Sequence, residues 1–306
     1  VTAAGLLVGI VVGLTGMGGG ALMTPVLVFL FRVDPLTAVS SDVVSSLFMK
    51  PAGAAVHLFR RTANLSLVGW LSLGSVPCAF GGAVLIDRLK QLERFDEILL
   101  TMLGIALLIS SAGLVLRSWM QMTNRRLPWG EGPAPMASAQ VQVRPLATVL
   151  IGAVGGLMVG MTSVGAGSLI LILLLMVYPN LKPSQLVGTD LVQAVPLVAS
   201  ASLGHLIFGS VSLGLTGGVL LGAIPGAFIG AQISSRAPGG IIRRALAILL
   251  MASGLKLIGV DTAWVLAATG VAVVAGPLGW ILLRRRWGAA ARSGSPPTVK
   301  SVEPDG

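Results

Sequence analysis

Displaced by just under half its length, this sequence lies on itself. Gly13 falls on Gly160, Thr15 on Thr162, Gly18 on Gly165, Gly20 on Gly167, Pro35 on Pro183, Asp42 on Asp190, His57 on His205, Pro77 on Pro225, Gly82 on Gly230 and Arg88 on Arg236. Both histidines of the chain are matched, and so are two acids that each follow a Ser or Thr. The fold must therefore be built from two copies of one unit.

Each copy opens on the same interruption. Thr15-Gly16-Met17-Gly18-Gly19-Gly20 stands between the apolar runs Ala3–Leu14 and Ala21–Phe31, and Thr162-Ser163-Val164-Gly165-Ala166-Gly167 stands between Leu146–Met161 and Ser168–Val177. Each run reads as about a dozen residues, roughly 18–20 Å of helix, against a hydrocarbon core ~30 Å thick. On that reading neither run spans a bilayer alone. Unwound backbone at membrane depth is tolerated only where it is buried in protein or lines a polar cavity, so the two breaks are where function is sought.

The chain is 54% hydrophobic and 10% charged, which excludes an ordinary soluble domain. Leu65–Ile86 and Ile98–Leu116 are charge-poor runs long enough to cross a bilayer, and Asp34-Pro35 opens a further helix that runs to about Phe59. The fold class is an all-α polytopic membrane protein. The net charge of +10 sits mostly in short Lys and Arg clusters between apolar segments, as topology signals do, so membrane lipid and not nucleic acid is the expected partner. A single cysteine, Cys78, allows no internal disulfide and no Cys-rich metal site. The start at Val1 has no charged n-region, and no signal peptide is assigned.

Five regions follow. Residues 1–117 form a first membrane repeat, 118–145 a polar cytoplasmic linker, 146–258 a second repeat, 259–287 an extra transmembrane helix centred on Thr262–Leu283, and 288–306 a disordered tail. Parity decides how the repeats are related: breaks that cross make them parallel, whereas re-entrant breaks make them inverted. With re-entrant breaks, Arg60/Arg61, the linker, the Lys182 turn, the Arg236–Arg244 loop and the C-terminal arginines share one side. The positive-inside rule then favours inverted repeats, a multi-pass protein of the cell inner membrane, and a cytoplasmic C-terminus.

Gly16-Met17-Gly18-Gly19-Gly20 looks on paper like a phosphate loop, but it follows a helical run rather than a strand and no Lys-Ser/Thr closes it. Two readings stand: close helix packing, or an anion site where a half-helix begins. In inverted copies, half-helices starting near Gly19 and Ala166 would aim their positive ends at one central region. Thr15, Gly16, Gly18, Gly19 and Gly20 would line it from one side, and Thr162, Ser163, Gly165, Gly167 and Ser168 from the other.

The stretch GLTGMGGG, its twin GMTSVGAG, the helix openings Ser40-Ser41-Asp42 and Gly188-Thr189-Asp190, and the histidines before Arg60-Arg61 and Gly209-Ser210 resemble the TauE/SafE sulfite exporter family of permeases. The resemblance covers roughly Val1–Leu257. It implies export of small sulfur-containing anions, sulfite or organosulfonates; one cysteine and two oppositely placed histidines supply neither a nucleophile-base pair nor axial ligands, so no enzymatic activity and no cofactor are expected. Ser163, Val164 and Ala166 depart from the first glycine stretch, which makes the two half-sites unequal.

Asp42 and Asp190 lie about 10 Å in from the prolines that open their helices. A carboxylate there is a candidate proton carrier, or else a first-turn acid that satisfies backbone N–H groups. His57 and His205, near the ends of the same helices, either take part in coupling or serve the helix C-terminal dipole. A bis-His haem is disfavoured, because the two rings approach opposite faces. Ser41, Thr189 and Gln193, with Ser45 at the position matching Gln193, either line the anion path or bond between helices. Gly74/Cys78/Gly82 and Gly222/Gly226/Gly230 read as packing positions, and Cys78 aligns with Gly226. An uptake permease or channel for another anion is the alternative within transport, and an intramembrane electron-transfer subunit the outsider. The sequence leaves oligomeric state open.

Overall fold

A computed structural model of the chain describes residues 2–15, 20–123, 142–165, 167–179, 181, 183–234 and 239–274. Among these residues the regular structure is entirely helical. The helices are α1 (Thr2–Thr15), α2 (Gly20–Phe31), α3 (Pro35–Phe59), α4 (Leu65–Leu89), α5 (Phe95–Thr123), α6 (Pro145–Thr162), α7 (Leu169–Val177), α8 (Pro183–Phe208), α9 (Leu213–Ser234) and α10 (Gly239–Leu257). A further helix, α11 (Thr262–Val274), follows. Five of them are long and apolar enough to cross a membrane: α4, α5, α6, α8 and α9.

Local chemistry sets the ends. Asp34 caps α3 by accepting the Thr37 N–H at 3.1 Å, with Pro35 at the first helical position where a missing N–H costs nothing. Asn64 caps α4 in the same way, accepting from Leu67 N–H at 3.3 Å. The helix α5 continues past the expected boundary at 117 to Thr123. The rest of the linker from 124 to 141, the end of the expected helix beyond 274 and the tail 288–306 lie outside the described residues.

One expectation needs correction. The run before the second break is longer than a dozen residues: α6 has 18, about 27 Å at 1.5 Å each, and is long and apolar enough to cross a membrane. It runs through Gly152, Gly155, Gly156 and Gly160, residues that weaken a solitary helix, because here neighbouring backbone and side chains lie against them. The partner α7, with 9 residues, is short as expected.

These two helices form a hairpin. The Tyr178 hydroxyl at the end of α7 lies 2.6 Å from Thr148 Oγ1 and accepts the Arg144 N–H at 2.8 Å, so both ends of the broken segment meet at one level. Midway, the space beside Gly155 is filled by Ile170 of α7.

The duplication reappears in the packing. α4 lies on α6, and α1 lies on α9, the duplicate pair with partners exchanged between halves. Both seams are parallel and made of small residues. Gly152, Gly156 and Gly160 meet the backbone of Leu71, Ser75 and Ala79, while Gly5 and Gly9 meet Val219 and Ala223. Gly74 and Gly82, and Gly222 and Gly226, complete the same seams from the other side, in keeping with the packing role expected of them. Two further pairs join a helix to its own duplicate and run antiparallel. In α5 against α10, Ser111 Oγ donates to Ala247 O at 2.7 Å and Gly104 faces Gly254. In α3 against α8, Ser40 meets His205 and Val43 meets Ser202, while Gly53 faces Leu191 and His57 faces Gly188. Large apolar side chains such as Leu30, Phe59, Leu146 and Phe228 point outward.

Candidate functional site

A charged side chain away from water needs company, so the buried polar groups locate the site. They gather along the antiparallel pair α3 and α8. From the facing pairs just given, the positions that face their own duplicates fall between Phe48 and Met49 on α3 and between Pro196 and Leu197 on α8. Asp42 and Asp190, both 2% exposed, stand about 10 Å along their helices from that midpoint, on opposite sides of it.

The second break meets the first of these acids. After Thr162 the chain turns through Ser163 in the left-handed region at φ 59, then through Gly165 at φ 126 and Gly167 at φ 96. A side chain is strained at such angles, so backbone conformation alone demands the two glycines. Thr162 steadies the turn: its hydroxyl donates to Met158 O at 2.7 Å and accepts the Val164 N–H at 3.2 Å. The chain re-enters helix as Leu169 N–H donates to Gly165 O at 3.1 Å, and Ser168 Oγ pairs with Ser110 Oγ of α5 at 2.7 Å. Asp42, from the other half of the protein, faces the hydroxyl of Ser163 and accepts the Thr24 hydroxyl of α2 at 2.8 Å. Ser163 and Ser168 are buried, as is Thr24. Of the first break, Gly16, Gly18 and Gly19 lie outside the described residues, and the helix termini Thr15 and Gly20 are described in backbone only.

Ser41 and Thr189 tie the halves together. The Ser41 hydroxyl accepts the Ser212 N–H at 3.4 Å, and the Thr189 hydroxyl accepts the Asn64 N–H at 3.0 Å. Asn64 and Ser212 are themselves duplicates, and each stands immediately before a helix of the opposite repeat. Each hydroxyl beside an Asp thus anchors the start of the next helix in the other copy.

The histidines are less alike. His205 is 1% exposed and bonded at both ring nitrogens, Nε2 to Gly160 O at 2.7 Å and Nδ1 to Ser40 Oγ at 3.0 Å. A carbonyl can only accept, so Nε2 carries a proton, and in the neutral ring Ser40 donates to Nδ1 while accepting the Ser210 N–H at 3.3 Å. Where Ser40 has its duplicate the second half has Gly188, and the Thr62 hydroxyl takes that space, 2.8 Å from His57 Nδ1. His57 is only half-buried. The two rings sit near opposite ends of the α3–α8 pair, which cannot hold one haem between them.

Gln193, fully buried, donates from Nε2 to Ser75 Oγ of α4 at 2.6 Å, while its Oε1 finds no hydrogen-bond partner among the described residues. Its duplicate Ser45 bonds back to Ser41 O at 2.8 Å, within its own helix. Cys78 is a half-buried free thiol. Among the described residues no group of three or more His, Cys, Asp or Glu could hold a metal ion.

Two polar residues of the site were not among the sequence candidates. Thr24 was readable as a hydroxyl inside the apolar run Ala21–Phe31. Lys50 is more consequential: 7% exposed on α3, it lies next to the midpoint and has Asp190 and Asp42 as its electrostatic neighbours. Its signal was a basic residue in the interior of a long apolar helix. Together these groups set carboxylates and an ammonium along the protein interior, with the hydroxyl of Ser163 beside Asp42. Such a set can offer donors to a small anion and can pass a proton.

A family model described as Sulfite exporter TauE/SafE matches residues 1–257. The chain is 36% identical over 255 residues to the probable membrane transporter protein YjnA of Bacillus subtilis (strain 168), covering 83% of this chain and 97% of that protein. It is 27% identical over 256 residues to the probable membrane transporter protein YdhB of the same organism, covering 82% and 96%. No solved structure matches it.

Proposed function

The chain belongs to the sulfite exporter TauE/SafE family of membrane transporters, and from that premise we propose that it exports small sulfur-containing anions, sulfite or organosulfonates. It is a multi-pass membrane permease and not an enzyme. In the proposal the anion passes between Thr162, Ser163, Gly165, Gly167 and Ser168 on one side and the Thr15–Gly20 break on the other, with Gln193 nearer the midpoint and Ser41 and Thr189 towards opposite ends of the path. Asp42 and Asp190 carry the coupling proton, with His57 and His205 at the two ends of the path.

The observation that carries this reading is the meeting of the buried, unwound second break with Asp42 of the opposite repeat. Donors and a proton-binding group brought together away from water are what an anion permease coupled to protons needs. The α6–α7 hairpin and the antiparallel run of α3 against α8 support inverted repeats, since helices related by an axis in the membrane plane run in opposite directions. Together with the positive-inside rule this supports a protein of the cell inner membrane with its C-terminus in the cytoplasm.

The test is flux of labelled sulfite from proteoliposomes, challenged with unlabelled sulfoacetate and other organosulfonates. Sulfite release well above that of protein-free liposomes, with competition by organosulfonates, is expected. Flux of an unrelated anion such as nitrate, without flux of any sulfur anion, would transfer the reading to a permease of another substrate class.

A further inference from the structure

Lys50 is more than nine-tenths buried on α3. A buried ammonium that served only as a counter-ion would close on a carboxylate, because an unpaired charge away from water is costly. Lys50 does not. No carboxylate of the described residues reaches ion-pair distance from it, and the pairs that do form, Lys90–Asp87 at 3.2 Å and Arg94–Glu97 at 3.4 Å, flank the turn between α4 and α5. Asp42 meanwhile accepts the Thr24 hydroxyl at 2.8 Å and makes no ion pair with Lys50.

Position adds a second argument. Along α3, Lys50 stands about 2 Å from the point where the two copies face themselves, between the levels of Asp42 and Asp190. Its duplicate position holds Val198, which is apolar and buried. A charge placed at the centre of a duplicated structure need occur only once, since it is accessible to both halves. A group meant to serve one half would be expected in both.

We propose that the Lys50 ammonium is the charged ligand that takes the transported anion, at the crossing of α3 and α8, with Asp42 towards one face and Asp190 towards the other. This rests on the reading of the chain as an anion permease. The ammonium is a compact point charge with three donors on a flexible stem. It suits a small oxyanion such as the sulfite or sulfonate group, and it can follow that group a short way towards either face. The two carboxylates compete for the ammonium once the anion has left, which favours release.

The experiment measures binding of sulfite and of sulfoacetate, with nitrate as a third probe, to the full chain in nanodiscs. Wild type is compared with Lys50→Met, Lys50→Arg, Asp190→Asn and the double variant Lys50→Met/Asp190→Asn. Lys50→Met keeps the length of the side chain and removes the charge; binding should weaken about 30-fold or more, as for loss of a charge-assisted contact, while Lys50→Arg retains most of it. The double variant guards against a fold upset by an uncompensated carboxylate, and it is expected to bind about 30-fold more weakly than Asp190→Asn alone. Equal affinity in those two variants would make Lys50 a counter-charge and overturn the proposal, as would a wild type that binds none of the three anions. Nitrate bound by wild type and lost in Lys50→Met, with no sulfur anion bound at all, would uphold Lys50 while removing the sulfur substrate.

Discussion

His205 Nε2–H donates to the carbonyl oxygen of Gly160 at 2.7 Å, one turn before the second break. In an unbroken helix the Val164 N–H would meet that carbonyl; here it turns to the Thr162 hydroxyl instead. A side chain of α8 thus closes the end of α6. Since Ser40 of α3 holds the other ring nitrogen at 3.0 Å, three helices meet on one imidazole.

His205→Ala should therefore cost about 1–3 kcal/mol of stability, the range for leaving buried hydrogen-bonding groups unmet. His57→Ala should cost less than about 1 kcal/mol, because the half-buried ring has a local partner in Thr62. Thermal unfolding of the two variants in the same detergent measures the difference. Equal losses would contradict the asymmetry.

The backbone angles of the second break make a separate claim. An ideal Cβ on Gly165 would find its nearest neighbours at 3.6–3.7 Å, an ordinary contact, so space is not the constraint. At φ 126 conformation is the constraint, and Gly165→Ala should lose about 1–3 kcal/mol. Ser163→Gly, at φ 59, relieves up to about 1 kcal/mol of backbone cost but removes the hydroxyl that faces Asp42, so no net gain is expected. A Gly165→Ala protein that melts with wild type would refute the turn as described.

In the helix seams the constraint is space. Gly156 lies against the backbone of Ser75, and Gly156→Val should abolish folded, monodisperse protein on size-exclusion chromatography. Gly69 and Gly81 have nothing within 4 Å, so alanine at either should be neutral or stabilise by about 0.5–1 kcal/mol. Loss of folding in Gly81→Ala, or normal folding in Gly156→Val, would contradict the packing of α4 on α6.

Much of this was legible in the sequence, and the remainder was hidden for identifiable reasons. Offset matching found the breaks, the paired acids, the paired histidines and the small-residue seams, since each is a constraint imposed on both copies. The same matching passed over Lys50 and Thr24, whose duplicate positions hold Val198 and Ile172. The length of α6 was also missed. The run Leu146–Met161 reads as about a dozen residues, whereas α6 extends from Pro145 to Thr162, with α4 covering Gly152, Gly156 and Gly160. The exchange of Ser40 for Gly188, which sets the two histidines apart, becomes readable only when the facing ring is known to be there.

Topology supplies a further check. The contacts put Arg144, Tyr178, Asn64 and Thr189 at one end of the bundle, and Ser41, Ser212, Lys90 and Phe208 at the other, where the Lys90 ammonium donates to Phe208 O. Reporters fused after Arg61, Asn124 and Arg244 should read as cytoplasmic, and those after Lys90 and Asp261 as external. External readings at both Asn124 and Arg244 would restore parallel repeats.

The most direct measurement concerns the central site itself: sulfite flux from proteoliposomes under an imposed pH gradient, in wild type and in Asp42→Asn/Asp190→Asn. Asparagine keeps the shape of aspartate and removes its proton exchange, yet at position 42 it can still accept the Thr24 hydroxyl. Gradient-stimulated flux is expected in wild type, and in the double variant flux that no longer responds to the gradient although sulfite binding stays detectable. Full gradient stimulation in the double variant would contradict this, and would leave Asp42 and Asp190, two turns inside their helices, without a part in coupling.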